Sequence, residues 1–192
     1  MHNTDDYLMR QFQNGDRDAF THLVHRHKGD VFRFILSKTK DRELASDLTQ
    51  DVFVRLFQSA DRYQPTGKLR SWLFRIAQNL CIDYHRKHQK ASILSLNNKS
   101  ESNDEFTLLD QIEDETTDPA IETEFNDLQS VIERALESLS KEQRTAFVLC
   151  QYHGMSYSEI ASIQKAPVGT VKSRIHHALI KVRDFLKEKD LM

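Results

Sequence analysis

Glycine and proline are scarce in this 192-residue chain, at 5 and 3 residues, and only 2 cysteines occur. With 39% hydrophobic and 29% charged residues, that scarcity suits a helix-rich soluble protein with modest cores. Cys81 and Cys150 lie far apart, each beside apolar residues. Two thiols do not make the disulfide framework of a small secreted domain, so both are expected to be reduced and at least partly buried. No apolar run approaches the roughly 18 residues that span a bilayer. The start, Met1-His2-Asn3-Thr4-Asp5-Asp6, lacks the basic-then-apolar order of a signal peptide, so a cytoplasmic location is expected. Also missing are a glycine-rich phosphate loop, a nucleophile elbow and a paired-carboxylate motif. No catalytic residue, cofactor or small-molecule substrate is therefore expected.

Strong net charge is absent too, at −2, but the average hides a segregation. Residues 1–94 hold 16 Lys/Arg and 11 Asp/Glu, residues 95–130 hold 1 and 11, and residues 131–192 hold 10 and 7. Two basic modules thus flank an acidic connector, and charge is informative only module by module. The connector is polar and aperiodic from Ser95 to Glu105 and from Glu113 to Pro119. It buries too little apolar surface to offset its chain entropy, and like charges favour extension. Phe106, Leu108, Leu109 and Ile112 could form a short docking turn within it.

On either side the apolar periodicity is helical. Ala19, Phe20, Leu23 and Val24 open one pattern, and Val31, Phe34 and Ile35 begin another. Leu44, Leu48, Val52 and Leu56 mark the buried face of a third helix, and Leu73, Ile76, Ala77 and Leu80 a fourth. No stretch alternates with β-branched enrichment, and Pro65, Pro119 and Pro167 fall between periodic segments. The expected fold is all-α: a helical domain over 5–92, an acidic linker over 93–125, and a smaller helical domain over 126–190.

Within the second domain, Ser140-Lys141-Glu142-Gln143 and Ser156-Tyr157-Ser158-Glu159 both have capping-box spacing. Ile160, Ala161 and Ile163 give the second helix a buried side, and Pro167 disfavours helix at Ala166 while suiting the first turn of the next. Two short helices about a tight turn, near 157–176, make a helix-turn-helix. On a wheel of 100° per residue, Val171, Ile175, Ala178, Leu179, Val182 and Leu186 share one arc. Thr170, Ser173, His176 and His177 lie opposite, flanked by Lys172, Arg174, Lys181 and Arg183. Short polar groups for base edges beside cations for phosphates are what a recognition helix needs. The bland alternative is a solvated amphipathic helix, which two capping boxes and a proline-marked turn disfavour.

In the first domain, the third helix turns Asp47, Gln50, Asp51, Val54 and Gln58 away from its buried face. A valine amid carboxylates and amides suits an interface, although spacing alone leaves a solvated face open. After it, from Asp61 to Lys90, come Arg62 and then Lys68, Arg70, Arg75, Arg86, Lys87 and Lys90 against Asp61 and Asp83, interleaved with Tyr63, Trp72, Phe74 and Tyr84. Cations beside aromatics are the usual means of holding single strands. Trp72, Leu73 and Ile76 are assigned to the core, and Phe74 can belong to either role.

The motifs then carry a resemblance. Ser156-Tyr157-Ser158-Glu159-Ile160-Ala161, followed by Pro167-Val168-Gly169-Thr170-Val171-Lys172-Ser173-Arg174, resembles the promoter-binding region of extracytoplasmic-function (ECF) sigma factors of the sigma-70 family. Response regulators share part of this pattern, so the N-terminal half has to decide. There, Asp47-Leu48-Thr49-Gln50-Asp51-Val52-Phe53-Val54-Arg55-Leu56-Phe57 is similar to the segment by which these factors grip the coiled coil of the largest polymerase subunit. The resemblance implies core-polymerase contacts from Asp47, Leu48, Gln50, Asp51, Val54, Arg55 and Gln58, with the polymerase flap as a further contact. It implies melting of the minus-ten element, and capture of a flipped base, by Tyr63, Lys68, Arg70, Arg75 and Asn79 with Asp83, Arg86 and Lys87 beside them. Extracting a base costs a few kcal/mol, so a shaped cationic pocket must offset it. Thr170, Lys172, Ser173, Arg174, His176, His177 and Lys181 would meet the minus-thirty-five element. An anti-sigma factor is an implied partner.

Two other readings stay open. One is a stand-alone DNA-binding regulator that needs no polymerase. The other is a metal-dependent hydrolase built on His22, His25 and His27 with Asp30; His22 and His25 have workable ligand spacing, but fitting Cys or acidic partners are missing. These histidines are expected on a solvated face, with no metal bound. Neither alternative explains a basic aromatic segment and a helix-turn-helix in one short chain.

Overall fold

A computed structural model describes residues 4–94, 132 and 134–189. Among them every regular element is helical, and no helix is long and apolar enough to cross a membrane. The chain divides into two compact units, Met1–Asp104 and Glu105–Met192. The expected linker beyond residue 94, with its turn of Phe106, Leu108, Leu109 and Ile112, lies outside the described residues.

The first unit contains α1 (Asp5–Gln13), α2 (Arg17–Thr39), α3 (Arg42–Ser59), a 3-10 turn (Ala60–Arg62) and α4 (Leu69–Leu94). Short polar side chains start the first three helices by accepting from otherwise unpaired backbone N–H groups. Thr4 accepts from Tyr7, Asp16 from Asp18 and Ala19, and Asp41 from Leu44. Lys40, left-handed at φ 52°, ends α2. The two apolar patterns expected at 19–24 and 31–35 lie on one continuous helix. Ala19, Leu23, His27, Val31 and Phe34 form its buried stripe, and His27 is the member that an apolar count misses. The short α1, also missed, buries Leu8 and Met9 against α2.

Helix α2 packs on α3 and α4, which pack on each other. Phe34 meets Phe74 edge-on at 5.1 Å, and both rings are fully buried, which settles Phe74 as core. Leu48, Val52 and Leu56 are buried as expected, whereas Leu44 is half-buried. Trp72 and Ile76 are also only half-buried, because the inward stripe of α4 is Leu69, Leu73, Ala77 and Leu80. Helix α4 runs two residues beyond the expected domain end at 92.

The second unit contains a helical turn over 134–137, then α5 (Lys141–Gln151), α6 (Tyr157–Gln164) and α7 (Val168–Glu188). Both capping boxes form in full, Ser140 with Gln143 and Ser156 with Glu159. Leu136, Leu139, Phe147 and Ala178 make a core cluster, with Ile132 and Val182 against it. Burying each large side chain contributes about 1.5–3 kcal/mol, so this small cluster holds the long α7 in place. Leu179, expected in the apolar arc, is 45% exposed. It lies 80° from Val171 on the wheel, at the edge of the stripe rather than its centre.

Candidate nucleic-acid interface

Lys165 closes α6 in the left-handed conformation, at φ 51° and ψ 46°, and its N–H donates to the Ala161 carbonyl. Pro167 then serves as N-cap of α7, one position before the first-turn place expected for it. This three-residue turn sets α7 against α6 in the helix-turn-helix arrangement, although α7 at 21 residues is no short helix. No side-chain hydrogen bond caps α7 at Pro167, and the positive end of its dipole lies at that first turn.

Thr170, Lys172, Ser173, His176 and His177 are all exposed on α7, and the two imidazoles meet edge-on at 5.8 Å. Arg174 departs from the expected pattern. It is half-buried, and its guanidinium donates to Gln164 Oε1 at 2.7 Å, while Gln164 donates to the Glu142 carbonyl at 2.8 Å. Its cation is thus turned onto the end of α6. Lys181 is exposed, and its ammonium reaches to 3.5 Å from the Ser138 carbonyl, which draws it toward the turn before α5.

On α3, the side chains of Asp47, Gln50, Asp51, Val54, Arg55 and Gln58 are exposed, Val54 at 51%. Leu48, expected among the polymerase contacts, is buried instead at 7% exposure, because it shares the inward stripe with Val52 and Leu56. Phe57 was not singled out from sequence, yet it is 54% exposed while touching Phe12 and Phe20 at centroid distances of 5.2 and 5.4 Å. Its neighbour Val54 was the available signal: i and i+3 share a helical face.

Along α4, Arg75, Asp83, Arg86 and Lys87 are exposed, as is Lys68 before it, while Asn79 is half-buried. Arg70 is tied to Asp30 at 3.2 Å and lies over the Phe74 ring at 5.8 Å. A groove of about 440 Å³ joins α3 and α4, lined by Leu48, Asp51, Arg55, Asp83, Arg86 and Lys87 with Leu80 and Tyr84. Two residue sets that sequence kept apart therefore share one surface.

Tyr63 is the most constrained of the expected contacts. Its ring stacks on Trp72 at 5.3 Å and 13°, and its hydroxyl donates to Asp6 Oδ1 at 2.6 Å. Burial, then the hydrogen bond and charge of Asp6, push that hydroxyl far above the ordinary tyrosine range, so it stays a neutral donor. Asp6 itself was missed; Thr4-Asp5-Asp6 is a legible helix start, but nothing local shows where the carboxylates reach.

The histidines of α2 divide. His22 and His25 are exposed, but His27 is only 5% exposed and its Nε2 lies 2.9 Å from Asp5 Oδ2, which corrects the expectation of a solvated face. Asp5 also holds Arg26 at 2.7 Å. Among the described residues no group of three or more His, Cys, Asp or Glu is arranged to hold a metal ion.

A helix-turn-helix on one unit, and on the other a groove of mixed charge where Arg55, Arg86 and Lys87 stand with Asp51, Asp83 and Tyr84, define a helical DNA-binding protein with a second candidate surface. Comparison narrows the class. Residues 23–91 match the family model for sigma-70 region 2, and residues 129–182 that for sigma-70 region 4. The chain is 30% identical over 180 residues to the ECF RNA polymerase sigma factor SigW of Bacillus subtilis, covering 94% of this chain and 95% of SigW. It is 35% identical over 177 residues to the ECF RNA polymerase sigma factor SigE of Mycolicibacterium smegmatis, covering 90% of this chain but 64% of that longer protein. In structure it is similar to the sigma factor RpoE in co-crystals with the anti-sigma factor NepR from Bartonella quintana, at 26% identity and a TM-score of 0.70, over 88% of this chain and 96% of that one. It is also similar to CnrH in complex with the cytosolic domain of CnrY, at 26% identity and a TM-score of 0.67, over 96% and 97% of the two chains. The chain belongs to the ECF sigma factors of the sigma-70 family.

Proposed function

We propose that the chain binds RNA polymerase core and directs promoter-specific initiation through two surfaces on separate units. The exposed face of α3, with Asp47, Gln50, Asp51, Val54, Arg55 and Gln58, docks on the coiled coil of the largest subunit, and the second unit contacts the flap. Segment 61–90 opens the minus-ten element, with Lys68, Arg75, Arg86 and Lys87 along the phosphates and Tyr63, Arg70, Asn79 and Asp83 about the displaced base. Thr170, Lys172, Ser173, His176 and His177 read the minus-thirty-five element. The chain supplies no catalysis of its own and works in the cytoplasm, where promoters and polymerase are. The observation that supports this reading is a helix-turn-helix on one unit together with a groove edged by Arg55, Arg86 and Lys87 on the other.

Control by an anti-sigma factor belongs to the same proposal. RpoE is joined to an anti-sigma factor in its co-crystal, and that protein shares this fold over most of its length. The test is in vitro transcription with core polymerase on a library of promoter fragments. Initiation from a defined set is expected, and its loss on changing Asp47, Gln50 and Asp51 to Lys. Failure to initiate from any fragment would overturn the proposal, and unimpaired function of the triple variant would favour a stand-alone regulator.

A further inference from the structure

Helix α1 lies before the region matched by the family model, yet it makes a dense set of bonds to the segment that opens α4. Asp6 accepts from the Tyr63 hydroxyl at 2.6 Å through one carboxylate oxygen and from the Gly67 N–H at 2.7 Å through the other. Gln13, at the far end of α1, donates from Nε2 to the carbonyls of Ala60 and Tyr63, at 2.8 and 2.9 Å. Both ends of loop 60–67 are thereby held to one helix. Asp5, the neighbour of Asp6, binds Arg26 and His27 and so locks α1 to α2.

The loop needs such a brace. Gly67 sits at φ 71°, and no residue of 63–68 belongs to a helix, so the loop has little regular backbone bonding of its own. A carboxylate accepting from an O–H and a backbone N–H makes short, charge-assisted bonds, roughly twice as strong as neutral ones. The rigid body behind them is α1, whose Leu8 and Met9 are buried at 3% and 0% exposure. Tyr63 is also fixed on its face by Trp72, so its ring is constrained on an edge and a face together.

We infer that Asp6 is a positioning residue for the minus-ten surface, holding Tyr63 and the Gly67 turn in the geometry that receives an unstacked base, with Gln13 fixing the start of the same loop. The inference rests on the proposed role of segment 61–90. It predicts that Asp6 acts on single-strand capture without touching DNA, since its carboxylate is spent on Tyr63 and Gly67.

The experiment uses the full chain assembled with core polymerase and a promoter fragment recovered from the library. Two probes report: a single-stranded oligonucleotide of the non-template minus-ten strand, and a duplex carrying only the minus-thirty-five element. Asp6→Asn and Asp6→Ala are expected to weaken single-strand binding about tenfold, because both variants remove the carboxylate charge that holds Tyr63 and Gly67. They should also flatten the preference for the base at the captured position, and leave duplex binding and core affinity unchanged. Tyr63→Phe should give part of the loss and add little to Asp6→Ala, because the two act through one bond. If Asp6→Asn lowers thermal stability but leaves single-strand affinity and base preference intact, the positioning role is wrong. If Lys68→Ala with Arg75→Ala also leaves single-strand binding intact, the minus-ten reading of the segment fails as well, and the two failures are distinguishable.

Discussion

Arg174 donates to Gln164 across the helix-turn-helix, 2.7 Å from guanidinium to amide oxygen, and Gln164 passes the connection on to the Glu142 carbonyl. A residue that pattern assigns to DNA is thus a tie between the recognition helix and its support. Lys172, two positions earlier, is exposed.

The two cations should therefore behave differently toward salt. Lys172→Ala is expected to weaken duplex binding and lower the slope of log affinity against log salt by about 1, the signature of a lost phosphate contact. Arg174→Ala should leave the slope nearly unchanged and destabilise the second unit by about 1 kcal/mol through the orphaned Gln164. Binding titrations over a salt series, with thermal unfolding of both variants, decide the matter. Equal slope changes would return Arg174 to the DNA contacts.

Phe74 is the residue whose role sequence left open, and it is fully buried against Phe34. Phe74→Ala is expected to destabilise the first unit by about 3–5 kcal/mol, as large-to-small changes of buried aromatics do. Phe74→Leu should cost much less, because it keeps most of the volume. Denaturant midpoints by circular dichroism give both values.

Asp5 links stability to pH. Burial opposes its ionisation, but hydrogen bonds and charge from His27 and Arg26 outweigh that and hold the carboxyl below the usual carboxylate range. A depressed folded pKa means that the contribution is complete above the unfolded value of about 3.9 and is lost as pH falls through the folded value. The stability difference between the native chain and Asp5→Asn should shrink as pH falls below about 4. Urea midpoints from about pH 5 to about pH 3 test the sign. A difference that grows as pH falls below about 4 would contradict the assignment.

The thiols differ in access. Burial pushes Cys81 up to about 11, with nearby Lys38 opposing only weakly, and its side chain is 2% exposed. Cys150 is raised by burial too, but it is half-exposed. A thiol reagent at pH 8 should label Cys150 first and reach Cys81 only on unfolding, since the thiolate is the reactive form. Mass spectrometry of the singly labelled protein identifies the site.

What sequence determined here is local. Helix starts follow from Ser, Thr and Asp side chains that satisfy the backbone within three residues, so the capping boxes at Ser140 and Ser156 and the turn ahead of Pro167 were legible without coordinates. Most of the inward faces of α3 and α4 followed from apolar spacing, because burial at i and i+4 recurs along the sequence, but Leu44, Trp72 and Ile76 fit the spacing and are only half-buried. Polar side chains carry no such signature. His27 finds Asp5 across 22 residues, and Tyr63 finds Asp6 across 57. Leu48 shows the same limit from the other side: an apolar residue in an interface motif can equally belong to the core, and packing against α4 decided for the core. Only the tertiary structure could decide these, because a long-range hydrogen bond depends on how helices approach one another, and that approach is set by the whole core rather than by any one segment.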